Sequence, residues 1–319
     1  MVVPLAVSVA IAIFAGTVSA DTYSLTSKLV GQGFLNAFNW QAIVDPTHGR
    51  VNYVTQATAQ ADGLISVSGN QVTLRADSTT VLSPSGPGRN SFRIQSNVQY
   101  TTHVAVFDIA HMPQGCGTWP AVYSTGGPHD NPVQGEVDIV EGVNDQTPNL
   151  SSMHTGANCT MPTSRIMTGT SVGTNCDVYE TNNSGCGVDI NDNNSFGPSF
   201  NRIGGGWYAI ERTSSFVKIF FWERESLSVP TDVRYPTSFV ITDGWGTPAA
   251  YFPNTDCDFS THMGPHNIII NLTFCGDWAG NGGVYAASGC PSDCIDYVNQ
   301  NPGAFTDAYF TFNSLNIYE

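Results

Sequence analysis

Short stretches in which apolar and polar residues alternate recur along the chain, separated by turns rich in Gly, Pro, Asn and Ser. This period of two is typical of β-strands with one buried face. Leu64–Ser68 and Val72–Arg75 alternate on either side of Gly69 and Asn70, which predicts a β-hairpin. Further strands are predicted at Ser91–Ile94, His103–Ile109, Glu136–Val140, Trp207–Arg212, Phe216–Trp222, Phe239–Thr242, Asn267–Phe274 and Tyr309–Tyr318. Because no long amphipathic helix pattern accompanies them, we predict an all-β sandwich of two sheets.

The segment from Gly135 to Asn144 departs from simple alternation. Its sequence, Gly-Glu-Val-Asp-Ile-Val-Glu-Gly-Val-Asn, places Glu136, Asp138 and Glu141 among apolar or small residues. Regular alternation would put Glu136 and Asp138 on one face of a strand and Glu141 on the other. One extra residue, a β-bulge, would bring all three carboxylates to the same face. Two carboxylic acids on one concave surface can serve as nucleophile and as general acid/base in glycoside hydrolysis.

The alternative is that these acids form the solvated face of an amphipathic strand. That arrangement predicts unbroken alternation, whereas Val140 directly follows Ile139 before Glu141. The sequence therefore favours a chemical site over a solvated face.

A polar stretch over residues 158–200 contains three of the eight cysteines and predicts a long loop. Within it, Gly169-Thr-Ser-Val-Gly173 matches the G-x-S-x-G elbow of serine hydrolases, but the surrounding pattern predicts neither the preceding strand nor the following helix that this elbow needs. Asp189-Ile-Asn-Asp-Asn193 resembles part of a calcium loop but lacks the Gly and Glu required there. We assign a function to neither motif.

Charge and apolar content narrow the classes of partner. The formal net charge is −15 at pH 7, although only 12% of residues are charged. Such a chain is not expected to bind nucleic acid or an anionic membrane, and a neutral polysaccharide fits it better. After the N-terminal segment, no stretch reaches the roughly 20 apolar residues that a membrane helix requires.

The N-terminus predicts export. Residues 2–20 are uncharged, contain the apolar run Val7–Phe14 and finish in Val18-Ser-Ala20, which is typical of a secretory signal peptide over residues 1–20. A membrane anchor is the alternative, although Ala, Gly, Thr and Ser interrupt the apolar stretch. Residues 21–319 are then expected to form a single domain outside the cell or in its wall.

The cysteines and sequons agree with export. An even set of eight cysteines predicts disulfides without choosing their pairing, and no paired C-x-x-C spacing suggests zinc. Asn-x-Ser/Thr sequons, which predict a glycoprotein, begin at Asn149, Asn158, Asn182, Asn193 and Asn271.

Several segments together resemble a known family. Gly135-Glu-Val-Asp-Ile-Val-Glu-Gly142 matches the E-x-D-x-x-E signature of glycoside hydrolase family 16 in its bulged form. Segments 45–53, 115–121, 153–159 and 267–280 resemble the fungal endo-1,3(4)-β-glucanases, or laminarinases, of that family. The resemblance covers almost the whole chain after residue 20. It implies a β-jelly roll of two curved antiparallel sheets, with the substrate in a cleft across the concave face.

The resemblance also implies catalytic roles. Glu136 matches the nucleophile, Glu141 the general acid/base and Asp138 an assisting carboxylate. His154 matches a histidine beside these carboxylates, where it could tune an acid near neutral pH. A structural histidine on a strand is the alternative for His154.

Substrate-binding residues are implied in the same way. Arg93 matches an arginine that faces the cleft, with a surface salt bridge as the alternative, and Trp278 matches a tryptophan that stacks on a sugar. Trp119 is expected to pack in the core. Tyr123 and Asn131 occupy positions where the family often has tryptophan, so we expect Tyr123 to contact substrate and the glucan preference to be altered.

These observations predict a secreted, retaining endo-1,3(4)-β-glucanase that acts as a monomer on β-glucan polysaccharides and oligosaccharides and needs no cofactor or metal for catalysis. One alternative is a transglycosylase, in which a sugar replaces water as the acceptor. A β-glucan-binding protein without activity is another alternative, and the presence of all three carboxylates argues against it.

Overall fold

The computed structural model describes residues 21–127 and 134–319. The predicted signal peptide and Asn131 lie outside these residues. Most of the regular structure is β-strand. The strands are β1 Thr22–Leu29, β2 Phe38–Trp40, β3 Val51–Tyr53, β4 Ile65–Ser68, β5 Gln71–Arg75, β6 Arg89–Ser91, β7 Arg93–Tyr100, β8 His103–His111, β9 Thr118–Thr125, β10 Glu136–Glu141, β11 Leu150–His154, β12 Thr170–Ser171, β13 Cys186–Asp189, β14 Gly206–Arg212, β15 Phe216–Glu223, β16 Phe239–Ile241, β17 Ala250–Pro253, β18 His266–Phe274 and β19 Tyr309–Tyr318.

Helices occur as short connectors. They are α1 Gly31–Asn36, α2 Gln56–Ala61, α3 Gly197–Arg202, α4 Thr231–Arg234, α5 Phe259–His262, α6 Gly276–Ala279, α7 Gly282–Ala287 and α8 Cys294–Gln300, with 3₁₀ turns at Thr242–Trp245 and Pro302–Phe305. The longest has 7 residues. Within the described part of the chain, none has the length and apolar character needed to cross a bilayer.

Two antiparallel sheets form the body of the protein. The first, which we call the site sheet, has the order β12-β13-β11-β10-β9-β18-β7-β2. The second, the back sheet, has the order β16-β1-β19-β8-β14-β15-β17, with the β4–β5 hairpin paired to β19 through β5. A short parallel pair, β3 with β6, forms a separate two-stranded ladder beside β18, where Ser91 Oγ donates to the carbonyl of Leu272. The predicted all-β class is therefore confirmed.

The main core lies between the two sheets. Phe107 and Ile210 from the back sheet belong to the same buried cluster as Val122, Val137 and Ile270 from the site sheet. The outer face of the back sheet is also covered, because its residues pack in a second cluster of apolar side chains that includes Val233 of α4. The back sheet is thus buried on both faces, and the outward face of the site sheet is the one that carries the cavities described below.

The predicted strands were largely correct. Each predicted segment contains a strand, and the hairpin over residues 64–75 is confirmed as β4 and β5. Three positions of these segments lie outside the strands: Leu64 precedes β4, Phe92 separates β6 from β7, and Thr242 begins a 3₁₀ turn after β16 ends at Ile241.

The prediction of one long loop over residues 158–200 was wrong in part. This region also contains β12, β13 and the start of α3, and β13 is an integral strand of the site sheet, paired with β11. With only four residues, of which one is Gly, β13 has too short a periodic pattern to be found from sequence.

All eight cysteines form disulfides, which confirms that prediction and supplies the pairing. The bonds are Cys116–Cys290, Cys159–Cys257, Cys176–Cys186 and Cys275–Cys294. Two of them tie the start of β9 and the end of β18 to the C-terminal helical segment. The bond Cys176–Cys186 closes a loop of residues 176–186, and residues of this loop line one of the cavities.

Candidate active site

The predicted bulge is present in β10 and determines which side chains reach the outward face. Asp138 pairs with Tyr123 and Val140 with Val122 of β9, so Ile139 is the extra residue. Val140, like Ile139, is consequently fully buried in the core. Glu136, Asp138 and Glu141 instead line a common cavity of about 660 Å³. The alternative of a solvated strand face is excluded, since Glu136 is 6% exposed and Asp138 is 3% exposed.

His154 lies beside these carboxylates on the neighbouring strand β11, where it pairs in register with Glu136. Its Nε2 atom is 3.0 Å from Asp138 Oδ2. Burial alone would lower the pKa of His154, but the hydrogen bond and charge of Asp138, with the charges of both glutamates, raise this pKa to about 9. The imidazole is therefore protonated at neutral pH.

Glu141 also retains its proton at neutral pH, but its protonated form is neutral whereas that of His154 is charged. Burial is the largest cause that raises the pKa of Glu141 to about 8, and the charge of Asp138 adds to it. A hydrogen bond from Trp119 Nε1 to Glu141 Oε1, 2.9 Å long, acts in the opposite direction. At neutral pH, Glu141 can therefore donate a proton.

The prediction for Trp119 was wrong. Its ring lines the cavity together with Trp278, and the two rings meet edge to face with their centroids 5.6 Å apart. Since Trp119 lies in β9 on the same face as Tyr123, the register of β9 directs it outward rather than into the core.

The wall of the cavity opposite β9 comes from the loop of residues 176–186. Asn182, Asn183 and Ser184 of this loop line the cavity. Gly185 has φ +60°, and a Cβ atom placed there would lie 2.8 Å from His154 Nδ1. Only glycine therefore allows the loop to approach His154 so closely in this conformation.

A second cavity, also of about 660 Å³, lies along the same face. Arg93 lines it, as does Thr125, which pairs in register with Glu136 and so places the two cavities side by side. Arg93 Nε donates to Gln41 Oε1 at 2.8 Å, and its Nη1 donates to the Tyr123 hydroxyl. Arg93 is only 7% exposed, which excludes an ordinary surface salt bridge.

Tyr123 differs from the aromatic platform that its predicted role would require. It is 6% exposed and packs with Ala121 and Ile269. Its hydroxyl is the acceptor for Arg93. The position of Tyr123 suits the role of orienting Arg93 better than the role of stacking on a sugar. Direct contact of Tyr123 with substrate stays a prediction.

Three side chains could in principle hold a cation. Glu136, Asp138 and His154 offer ligand atoms within 4.8 Å of one another. The Nε2 atom of His154 is 3.0 Å from Asp138 Oδ2, a distance at which these two groups also form a hydrogen bond.

The elbow-like motif does not form a serine hydrolase site. Ser171 lies in β12, and its Oγ accepts from Arg165 and donates to the carbonyl of Gly173. No helix follows this segment directly, since the next one in the described chain is α3.

Sequence reasoning missed several residues at the site. Ser152 lines the first cavity and Asp277 lies at its edge, where His48 Nδ1 is 2.9 Å from Asp277 Oδ2. Asn149, discussed below, contacts the bulge from beneath. The sequence signal for Asn149 was present but pointed elsewhere, because it begins a glycosylation sequon.

Comparison with known proteins agrees with this architecture. The family described as "XgeA-like, catalytic GH16 domain" matches residues 38–318. A probable glycosidase of Schizosaccharomyces pombe is 40% identical over 303 residues, which cover 94% of this chain and 70% of that protein. A probable endo-1,3(4)-beta-glucanase of Aspergillus clavatus is 42% identical over 313 residues, or 94% of this chain and 47% of that protein. The chain thus spans about half the length of this second relative.

Two solved structures are similar over their whole length. Laminarinase 16A of Phanerochaete chrysosporium, a GH16 protein solved with 6-O-glucosyl-laminaritriose in donor and acceptor sites, shares 57% identity over 94% of this chain, with a TM-score of 0.92. An elongating GH family 16 beta-1,3-glucosyltransferase shares 36% identity over 93% of this chain, with a TM-score of 0.85. The predicted jelly-roll fold is confirmed, and the chain belongs to glycoside hydrolase family 16.

Proposed function

We propose that this protein is a secreted, retaining endo-1,3(4)-β-glucanase that hydrolyses β-1,3- and mixed-linkage β-glucans. The observation that carries the proposal is the bulge in β10, which gathers Glu136, Asp138 and Glu141 on one face with a proton held on Glu141. A retaining glycosidase needs an ionised nucleophile and a protonated acid on the same face of its cleft. The names of the relatives support the same substrate class.

In the first step, a carboxylate oxygen of Glu136 attacks the anomeric carbon of the sugar, and the bond to the glycosidic oxygen breaks. Glu141 transfers its proton to that oxygen, so the leaving sugar departs as a neutral alcohol. In the second step, the ionised Glu141 takes a proton from water, whose oxygen attacks the anomeric carbon and releases Glu136. Two inversions give net retention of the β-configuration.

Asp138 and His154 support this cycle without forming a bond to the sugar. The charge of Asp138 helps keep the proton on Glu141 before the reaction. Protonated His154, 3.0 Å from Asp138, offsets part of the negative charge that three neighbouring carboxyl groups would otherwise build up. We propose that this pair sets the protonation states of the site.

Sugar units would occupy both cavities along the site sheet. Trp278 is half-buried in the wall of the first cavity, where an indole face can stack on a pyranose ring. Arg93, oriented by Gln41 and Tyr123, offers hydrogen-bond donors to sugar hydroxyls in the second. We infer that the glucan runs across the face with the cleaved bond near Glu136 and Glu141.

We also propose that residues 1–20 are removed as a signal peptide and that residues 21–319 form one catalytic domain. A single buried cluster that extends from Phe34 to Ile317 supports the single domain. Mass spectrometry of the protein purified from a culture medium would identify its N-terminus. A start at Met1 would contradict the cleavage.

The test of activity is incubation of the purified protein with laminarin, lichenan and β-1,4-glucan, with chromatography of the products and NMR of the first anomer formed. We expect β-configured oligosaccharides from the first two substrates and none from the third. Glu136→Gln should bind laminari-oligosaccharides without hydrolysing them. Products of inverted configuration, or undiminished hydrolysis by Glu136→Gln, would refute the mechanism.

Transglycosylation is the second candidate function, because a GH16 glucosyltransferase matches this chain at a TM-score of 0.85. The higher identity to Laminarinase 16A, 57% against 36%, favours hydrolysis. In the same incubation, products longer than the supplied oligosaccharide would identify the transferase activity.

A further inference from the structure

The side chain of Asn149 is fully buried beneath the bulge of β10. Its Oδ1 atom accepts a hydrogen bond of 2.9 Å from the backbone N–H of Glu141. Its Nδ2 atom donates to the carbonyl of Ile139 at 3.1 Å and to Ser151 Oγ at 3.2 Å. The side-chain amide of Asn149 therefore contacts the backbone of Ile139, the extra residue, and the backbone of Glu141, whose side chain the bulge turns outward.

The hydrogen bonds of Asn149 take the place of backbone pairing between β10 and β11, which ends before the bulge. The pairing of β10 with β11 stops at Asp138, opposite Ser152, so the strand beyond Asp138 has no further register pair on that side. The carbonyl of Ile139 instead accepts from both Asn149 Nδ2 and Ser151 Oγ, each at 3.1 Å. Because buried backbone groups without partners are costly, these side chains stabilise the bulged conformation against a regular one.

Asn149 is itself fixed from the other side. Its backbone N–H donates to Ser195 Oγ at 2.9 Å, and its carbonyl accepts from the N–H of Ile190 at 2.9 Å. Ser195 Oγ in turn donates to the carbonyl of Asp192 at 2.6 Å. The amide is therefore held in position by the segment of residues 190–195 before it contacts β10.

We propose that Asn149 is a positioning residue that holds the β10 bulge and thereby directs Glu141 toward the scissile bond. The inference rests on the proposed function. A strand without the bulge would alternate regularly, which would turn Glu141 toward the core and Val140 toward the cavity. Loss of Asn149 should therefore impair proton donation to the leaving group more than attack by Glu136.

The test compares two substrates that differ in their need for an acid. Laminarin has a sugar alcohol as leaving group and requires protonation, whereas a 2,4-dinitrophenyl β-laminaribioside has a leaving group that departs without it. In Asn149→Ala, kcat/KM should fall about 100-fold for laminarin, as expected for a misplaced catalytic group. For the dinitrophenyl substrate it should fall less than about fivefold, because kcat/KM reports only the first step.

Asn316→Ala is the matched control. Asn316 is also a buried asparagine, 1% exposed, but it lies in β19 of the back sheet, where its Nδ2 donates to Ser314 Oγ. This variant should lose thermal stability without changing the ratio of kcat/KM for the two substrates. If Asn149→Ala does not fold, Asn149→Asp keeps the size of the side chain and the acceptor for the Glu141 N–H, and a change of at least about tenfold in the same ratio is expected.

Equal losses on both substrates, or no loss beyond that of Asn316→Ala, would overturn the positioning role. Failure of the proposed function is distinguishable from this result, because the wild-type protein would then hydrolyse neither substrate.

Discussion

The hydrogen bond from Trp119 to Glu141 predicts a measurable shift in pH dependence. Trp119 Nε1 lies 2.9 Å from Glu141 Oε1 and stabilises the ionised carboxylate. It thereby lowers the pKa of Glu141, which burial and the charge of Asp138 together raise to about 8. Trp119→Phe keeps an aromatic ring and removes the N–H donor, so the pKa of Glu141 should rise further.

The size of the shift follows from the strength of the bond. A hydrogen bond to a charged group contributes about 1.5–3 kcal/mol, and one pKa unit corresponds to about 1.4 kcal/mol. Complete loss would therefore raise the pKa by about 1–2 units. Because Glu141 is only half-buried, water can replace part of the bond, and we expect about one unit.

The assay is the pH profile of kcat/KM for laminarin, whose alkaline limb reports the deprotonation of the acid in the free enzyme. In Trp119→Phe this limb should move upward by about one pH unit. Trp278→Phe is the control, since Trp278 contacts the Trp119 ring and lines the same cavity. It should raise KM and leave the limb in place. An unchanged or lowered limb in Trp119→Phe would refute the assignment of Glu141 as the acid.

Three further measurements follow from burial and bonding. The pKa of Glu141 in the folded protein, about 8, exceeds its usual value of 4.5, so the stability of the wild-type protein should fall as the pH rises from 4.5 to 8. Glu141→Gln cannot ionise and should not lose stability in this way. Calorimetry should therefore find that the Tm of Glu141→Gln exceeds that of the wild type by more at pH 9 than at pH 5. A gain independent of pH would contradict this. Tyr123→Phe removes the acceptor for Arg93 and should raise KM for laminari-oligosaccharides about two- to tenfold, with an unchanged KM as the contrary result. Glycopeptide mapping after secretion from a eukaryotic host should find glycans only at the exposed sequon asparagines and none at the buried ones, Asn149 and Asn271, whereas occupancy of either would be inconsistent with this fold.

The catalytic strand could be predicted because its signal is local. Six consecutive residues from Glu136 to Glu141 contain both the three acids and the break in alternation that requires a bulge. The hairpin of β4 and β5 is equally local, since its strands and its turn are contiguous in sequence. Both features depend on the alternation of side chains along a strand and on the residues of a turn, and these can be read within one short segment of sequence.

The contacts that tune the site could not be predicted in this way. Whether Trp119 faces the core or the cavity depends on the register of β9 between β10 and β18, which is set by pairings with distant segments. The same register buries Tyr123 under Arg93, 30 residues away in sequence. Asn149, which contacts the bulge, has its backbone held by hydrogen bonds to Ser195 and Ile190, more than 40 residues away in sequence. Such long-range contacts leave no periodic trace in the sequence.

The charges around Glu141 suit a residue that must act first as an acid and then as a base. Burial is the largest cause that raises the pKa of Glu141, the charge of Asp138 adds to it, and the neighbouring charge of Glu136 makes a smaller contribution in the same direction. If Glu136 forms the ester that we propose, its carboxylate becomes neutral and this contribution disappears. The pKa of Glu141 then falls at the stage of the reaction at which the residue must accept a proton from water. Asp138 and His154 form no bond to the sugar in the proposed scheme, so the change in Glu136 supplies the direction of the switch.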